Sequence, residues 1–242
     1  LIADRPGNLV RNYQLAEHVR ACITPAGAVF LNLKQDAYSG IDARQVNALA
    51  GAVEGWPEGS AGDAEPSSDT QALVESLCAE GALVPCTQPG LPYSPSQLHE
   101  PTDELMPWRA MQPMKVRVRD VLSFIRALVT VIWMLRFRSL NAAAKRAQRL
   151  ASRHAVAIDL GRTRELMTLY TYIRMFMFAR RGRCLLDSLT LLEFLAAHGV
   201  RAQWVIAVRL RPFAAHSWLQ HQQWVLNGTP ASVRGFSAIL TT

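Results

Sequence analysis

The chain has 242 residues, half of them hydrophobic, which is enough for two domains with buried cores. Its formal charge of +7 is unevenly spread: residues 1–100 carry five Lys and Arg against twelve Asp and Glu, a net −7, and residues 101–242 carry 21 against seven, a net +14. Four cysteines, none in a CxxC pair, exclude a disulfide scaffold and a zinc site of the usual spacing, so reduced thiols and no metal are expected.

Leu1 to Pro6 has neither the charged nor the apolar region of a signal peptide. The longest apolar stretch, Ala127 to Leu135, lies between Arg126 and Arg136 and is far short of the ~20 residues of a membrane span. A cytoplasmic protein without stable membrane insertion is expected.

Residues 13–41 read as strands. Tyr13 to Leu15 and Val19 to Ile23 alternate apolar and polar side chains, Thr24-Pro25-Ala26-Gly27 makes a turn, and Ala28 to Lys34 is the return strand of a hairpin. A helix capped by Asp42 is expected over Ala43–Val53, stopped at Gly55-Trp56-Pro57, then a loop over Glu58–Thr70. A short helix runs from Asp69 to Ala79, with Leu83-Val84 extended after it. Residues 85–113 hold seven prolines and read as a semi-extended linker. The expected division is a domain over 1–85, a linker over 86–114 and a second domain over 115–242.

From Lys115 the period is helical. Val118, Val121, Leu122, Ile125, Leu128, Val129 and Ile132 fall at steps of three and four. Helices follow over Asn141–Arg153, Thr163–Arg180 and Cys184–Ala197, the last stopped by Gly199. After it, Val200, Ala202, Trp204, Ile206, Val208 and Leu210 share one face of a strand. Two short strands, about Ala215–Gln220 and Gln223–Asn227, close the pattern.

Cys184 follows the Arg180-Arg181-Gly182-Arg183 break and opens a helix, where unpaired N–H groups and the helix dipole favour an anion, which for a thiol is the thiolate. His216 opens a later strand. A helix-start Cys followed by a strand His is the order used in papain-like and transglutaminase-like enzymes, with the imidazole as base and then as acid to the leaving amine. The alternative is a core thiol in an apolar helix. If His221-Gln222 centres the last turn, Gln220 pairs with Gln223 and His216 stands opposite Asn227, the first candidate for orienting the imidazole. Gln220 shares the face of His216 and is the second candidate.

Arg183-Cys184-Leu185-Leu186-Asp187-Ser188-Leu189, Leu195 to Gly199, and Phe213-Ala214-Ala215-His216-Ser217-Trp218-Leu219 resemble the peptidase of lasso-peptide B proteins. The resemblance implies an α+β chain with a transglutaminase/papain-like cysteine peptidase domain. Its activity would be removal of the leader from a ribosomally made precursor, with an asparagine-synthetase-like macrocyclase as partner. Leu31-Asn32-Leu33 and Asp36 to Gly40 resemble the family's leader-recognition element, a small winged-helix-like unit of three strands and three helices. Asp187 stands where the family commonly has Arg, and Asn227-Gly228 where an acidic residue is usual. An exposed edge strand can pair with an extended peptide, so Val29, Phe30, Leu31, Leu33 and Tyr38 are the expected leader contacts. No Gly-rich phosphate loop is present, so no cofactor is expected, and any nucleotide dependence would belong to the cyclase. A binder of peptide or nucleic acid, and a transglutaminase-like amidase with another substrate, are the alternatives. The 17 Lys and Arg between 109 and 183 would serve a partner or an acidic part of the precursor.

Overall fold

The computed structural model describes residues 12–57, 68–105, 116–152, 159–177 and 184–242. The expected break at 180–183, and with it Arg183, lies outside these residues, as do most of the 58–70 loop and residues 106–115. The chain divides into two compact units: the described residues up to Ser96 with Leu210–Phe213, and Gln97–Arg209 with Ala214–Thr242. The division therefore falls inside the expected linker. Proline-rich chain is pre-set for extended backbone, and here it supplies a two-residue strand to a sheet in each unit.

The first unit holds β1 (Tyr13–Ala16), β2 (Val19–Thr24), β3 (Gly27–Asn32), β4 (Ala37–Asp42), α1 (Ala43–Ala48), α2 (Ser68–Ala79), β5 (Leu83–Pro85) and β6 (Gly90–Leu91). They form two antiparallel three-stranded sheets, ordered β5-β1-β6 and β2-β3-β4. Two helices and six strands among the described residues differ from the expected winged-helix-like count of three and three. Asp42 and Gln45 make a reciprocal capping box that starts α1. The helix ends at Ala48, before the expected Val53, and the chain turns through Gly51 at φ 84°. A Cβ on Gly55 would stand 2.2 Å from the Tyr93 carbonyl oxygen, so this position needs glycine. Trp56 fills the core, stacked on Phe30 at 6.0 Å, and its indole N–H donates to the Val46 carbonyl.

The topology corrects one expectation. β3 is the central strand, not an edge, and Val29, Phe30, Leu31 and Leu33 are buried. Its run of consecutive apolar residues is covered on both faces. Of the five, only Tyr38, on β4, lies on a strand at the edge of its sheet as the described residues form it.

The second unit holds β7 (Asp103–Glu104), α3 (Val118–Phe137), α4 (Leu140–Ser152), α5 (Leu160–Met177), α6 (Cys184–Ala197), β8 (Gln203–Arg209), β9 (Ala214–His221), β10 (Trp224–Val225), α7 (Pro230–Val233) and β11 (Ser237–Thr241). Its sheet is ordered β11-β8-β9-β10-β7, antiparallel except for the β10–β7 pair. β11 and α7 were not expected from the sequence. Thr229 caps α7 with Pro230 in its first turn, and Gly235 at φ 79° turns the chain into β11.

α6 is the central helix. Leu186, Leu189, Leu191, Leu192, Phe194 and Leu195 are all buried, so it is apolar on nearly every side. Its end is fixed by Gly199 in the left-handed region, with the Val200 N–H returning to the Leu195 carbonyl at 2.9 Å. The Phe194 ring packs on Tyr170, Phe124 and His198 at centroid distances of 5.6, 6.5 and 4.5 Å. Arg146 of α4 clamps Glu193 of α6 through two parallel hydrogen bonds. Removing the ring in Phe194→Ala would leave a cavity where three aromatic contacts converge. Urea unfolding followed by tryptophan fluorescence should show this unit destabilised by about 3–5 kcal/mol.

Candidate active site

Cys184 is the first described residue of α6 and is half-buried. The residues three and four places on lie on the same side of a helix. These are Asp187 and Ser188, and each ties the first turn to a different neighbour.

Ser188 faces the sheet. Its hydroxyl is 2.8 Å from that of Ser217 on β9, and the Trp204 indole N–H of β8 reaches both oxygens, at 3.1 and 2.8 Å. All three side chains are buried. The bond thus joins a residue one turn after Cys184 to the residue next to His216.

Asp187 faces α5. Its carboxylate accepts from the Tyr170 hydroxyl at 3.0 Å, pairs with Arg174 Nε at 2.8 Å, and is hydrogen-bonded by the Asn227 side chain. Burial raises the Asp187 carboxyl above the ordinary carboxylate range, more than Arg174, Tyr170 and Asn227 together lower it. The Tyr170 hydroxyl is pushed well above its ordinary value, first by burial and then by the carboxylate beside it. A cleft beside the cluster is lined by Met167, Tyr170, Thr171, Arg174, Leu226, Asn227 and Gly228.

His216 pairs with Ala207 across the β8–β9 ladder. Side chains alternate along a strand, so His216 shares the face of Trp218 and not that of Ser217. Its ring stacks on Trp218 at 5.7 Å and meets Phe236 at 5.6 Å. Neither the Cys184 thiol nor the His216 imidazole hydrogen-bonds a described residue. The structure brings their elements together and does not join the two groups.

The hairpin register differs from the expected one. Trp224 pairs with His221 and Val225 with Gln220, so the turn centres on Gln222-Gln223, with Gln222 at φ 50°. The pairing is displaced by two residues, and Asn227 is not opposite His216. Its Oδ1 accepts from the Leu219 N–H at 2.8 Å, so it bridges β9 to Asp187. Gln220, the other candidate, is buried and fully engaged: Nε2 donates to the His99 and Gln222 carbonyls, and Oε1 accepts from the Trp218 indole. Among the described residues, no group of three or more His, Cys, Asp or Glu could hold a metal ion.

Residues 123–241 match the transglutaminase-like superfamily. The match runs from within α3 to the end of β11, so the second unit carries a transglutaminase-like domain. Such a domain is consistent with cysteine peptidase or amidase activity. Searches of curated proteins and of solved structures gave no match.

Burial lowers the His216 imidazole from its ordinary value of 6.5. The folded chain therefore keeps this ring neutral where the unfolded chain would protonate it. Its contribution to stability is intact above pH 6.5 and is lost as pH falls from 6.5 towards the lowered value. His216→Gln should flatten this part of the stability curve, which unfolding in urea at about pH 7.5 and about pH 5.5 would measure against the parent chain.

Proposed function

We propose that the second unit is a cysteine peptidase with Cys184 as nucleophile and His216 as base. The observation that carries this reading is the match of residues 123–241 to the transglutaminase-like superfamily, with Cys184 on α6 and His216 on β9, two elements joined by the Ser188–Ser217 bond on the sheet face opposite His216. His216 takes the thiol proton, and the Cys184 sulfur attacks the scissile carbonyl carbon. Collapse of the tetrahedral adduct breaks the C–N bond as the imidazolium protonates the leaving amine. Water, deprotonated by His216, then hydrolyses the thioester. The imidazole must come within hydrogen-bond reach of the thiol for this, and such contacts commonly tighten only when substrate is bound.

The substrate in this reading is the leader of a ribosomally made lasso-peptide precursor, and the trimmed core passes to an asparagine-synthetase-like macrocyclase in the cytoplasm. The resemblance of the segments around Cys184 and His216 to B proteins supports it. The first unit holds the leader, as a strand added at the β4 edge of its sheet beside Tyr38. That tethering raises the local concentration of the cleavage site.

Cys184→Ala and His216→Ala should each lower precursor cleavage, followed by mass spectrometry, by at least about 10³-fold while leader binding persists. Normal cleavage by the Cys184 variant would sink the reading. The missing thiol–imidazole bond favours a second one, a peptide-binding protein in which Cys184 is a packing residue. Its signature is a thiol alkylation rate whose pH profile does not respond to His216→Ala. A product assay on small amides separates peptidase from amidase.

A further inference from the structure

Among the described residues of the second unit, one face of the long helix α3 is exposed and apolar. The 20 residues of α3 bury Phe124, Ala127, Val131 and Met134 against the unit. On the opposite side Val118, Leu122, Ile125, Val129 and Ile132 recur at steps of four and three and are exposed, Leu122 at 60% and Val129 at 58%. A helix that is apolar on both faces is one whose second face is also covered. At 1.5 Å per residue this ridge runs about 21 Å along the surface, from Val118 to Ile132.

Charge selects what covers it. Every exposed charge on α3 and on the residues bounding it is an arginine: Arg117, Arg119, Arg126, Arg136 and Arg138. The helix's one acid, Asp120, is buried. A second copy of the chain would set arginines against arginines, so self-association is disfavoured. The ridge also widens at its C-terminal end beyond the seam that one partner helix fills. There the Arg138 guanidinium lies 5.3 Å over the exposed Trp133 ring, and that of Arg136 lies 5.9 Å over Phe137. An aromatic body with a cationic head beside it suits the boundary between lipid headgroups and acyl chains.

We infer that α3 is a peripheral docking face for an anionic lipid surface, its apolar ridge entering the headgroup boundary and its arginines pairing with lipid phosphates. None of the described helices is long and apolar enough to cross a membrane, so the contact is superficial. The inference stands whatever reaction Cys184 performs.

Co-sedimentation of the full chain with vesicles tests it. Phosphatidylcholine vesicles containing about 30% phosphatidylglycerol should bind at least about tenfold more protein than pure phosphatidylcholine, and the difference should shrink as salt is raised. Leu122→Glu with Val129→Glu should reduce binding to the neutral-vesicle level with the far-ultraviolet circular dichroism unchanged. Should that pair fail to fold, Arg119→Gln with Arg126→Gln, both on the solvent side, should remove the anionic preference alone. Equal binding to both vesicle types, or unaltered binding by the folded variants, overturns the inference. So does a dimer of the parent chain that the Glu substitutions make monomeric, which would assign the face to a second copy.

Discussion

The second unit depends on a buried polar contact between its central helix and its sheet. Trp204 has one N–H and two hydroxyl oxygens within reach, and Ser188 also approaches the Leu185 carbonyl at 3.2 Å. If Ser188 donates to Leu185, Ser217 donates to Ser188 and the indole proton is shared between both hydroxyls, so every donor has an acceptor. No buried side-chain nitrogen or oxygen among the described residues lacks a partner. A satisfied network in a low-dielectric interior admits few alternative arrangements. It therefore fixes the rotation and height of α6 against β9, which apolar packing alone leaves free to slide.

The Asp187 cluster does the same work on the other side of that first turn. An acid in the first turn is favoured by the helix dipole. Its carboxylate binds α5 through Tyr170 and Arg174, and the chain beyond β10 through Asn227. Asn227 in turn holds the Leu219 N–H of β9. Cys184 thus stands on a turn fixed from three directions, and Tyr170, Arg174 and Asn227, the groups that hold Asp187, also line the cleft.

What the sequence conveys follows from which errors it penalises. The helix from Cys184 to Ala197 is legible because its apolar run and Gly199 admit no other boundary, and the period-two pattern of β8 is equally forcing. The β9–β10 register is not. A slip of two residues keeps every side chain on its face, so burial cannot detect it, and His221-Gln222-Gln223 contains no Gly or Asn to mark the turn. The central position of β3 had a signal, its unbroken apolar run, which an edge strand does not need. The Asp187 cluster had none, because its members come from three separate places in the chain: Tyr170 and Arg174 from α5, Asp187 from α6, and Asn227 from beyond β10.

These structural duties bear on how His216 could act. In a triad, a third polar group sets the tautomer and direction of the imidazole. Both residues nominated for that role are spent elsewhere: Asn227 on Leu219 and Asp187, Gln220 on two carbonyls and an indole. His216 is instead placed between aromatic rings, stacked on Trp218 with 27° between planes and tilted against Phe236. Such packing restrains the ring plane and, through burial, favours the neutral form a base requires. It leaves the choice of tautomer open, and it does not stabilise an imidazolium as a carboxylate would. What the arrangement fixes is the ring itself: His216 lies on the Trp218 and Phe236 side of β9, opposite the Ser217 side that meets α6, and packing rather than a third polar group sets its plane.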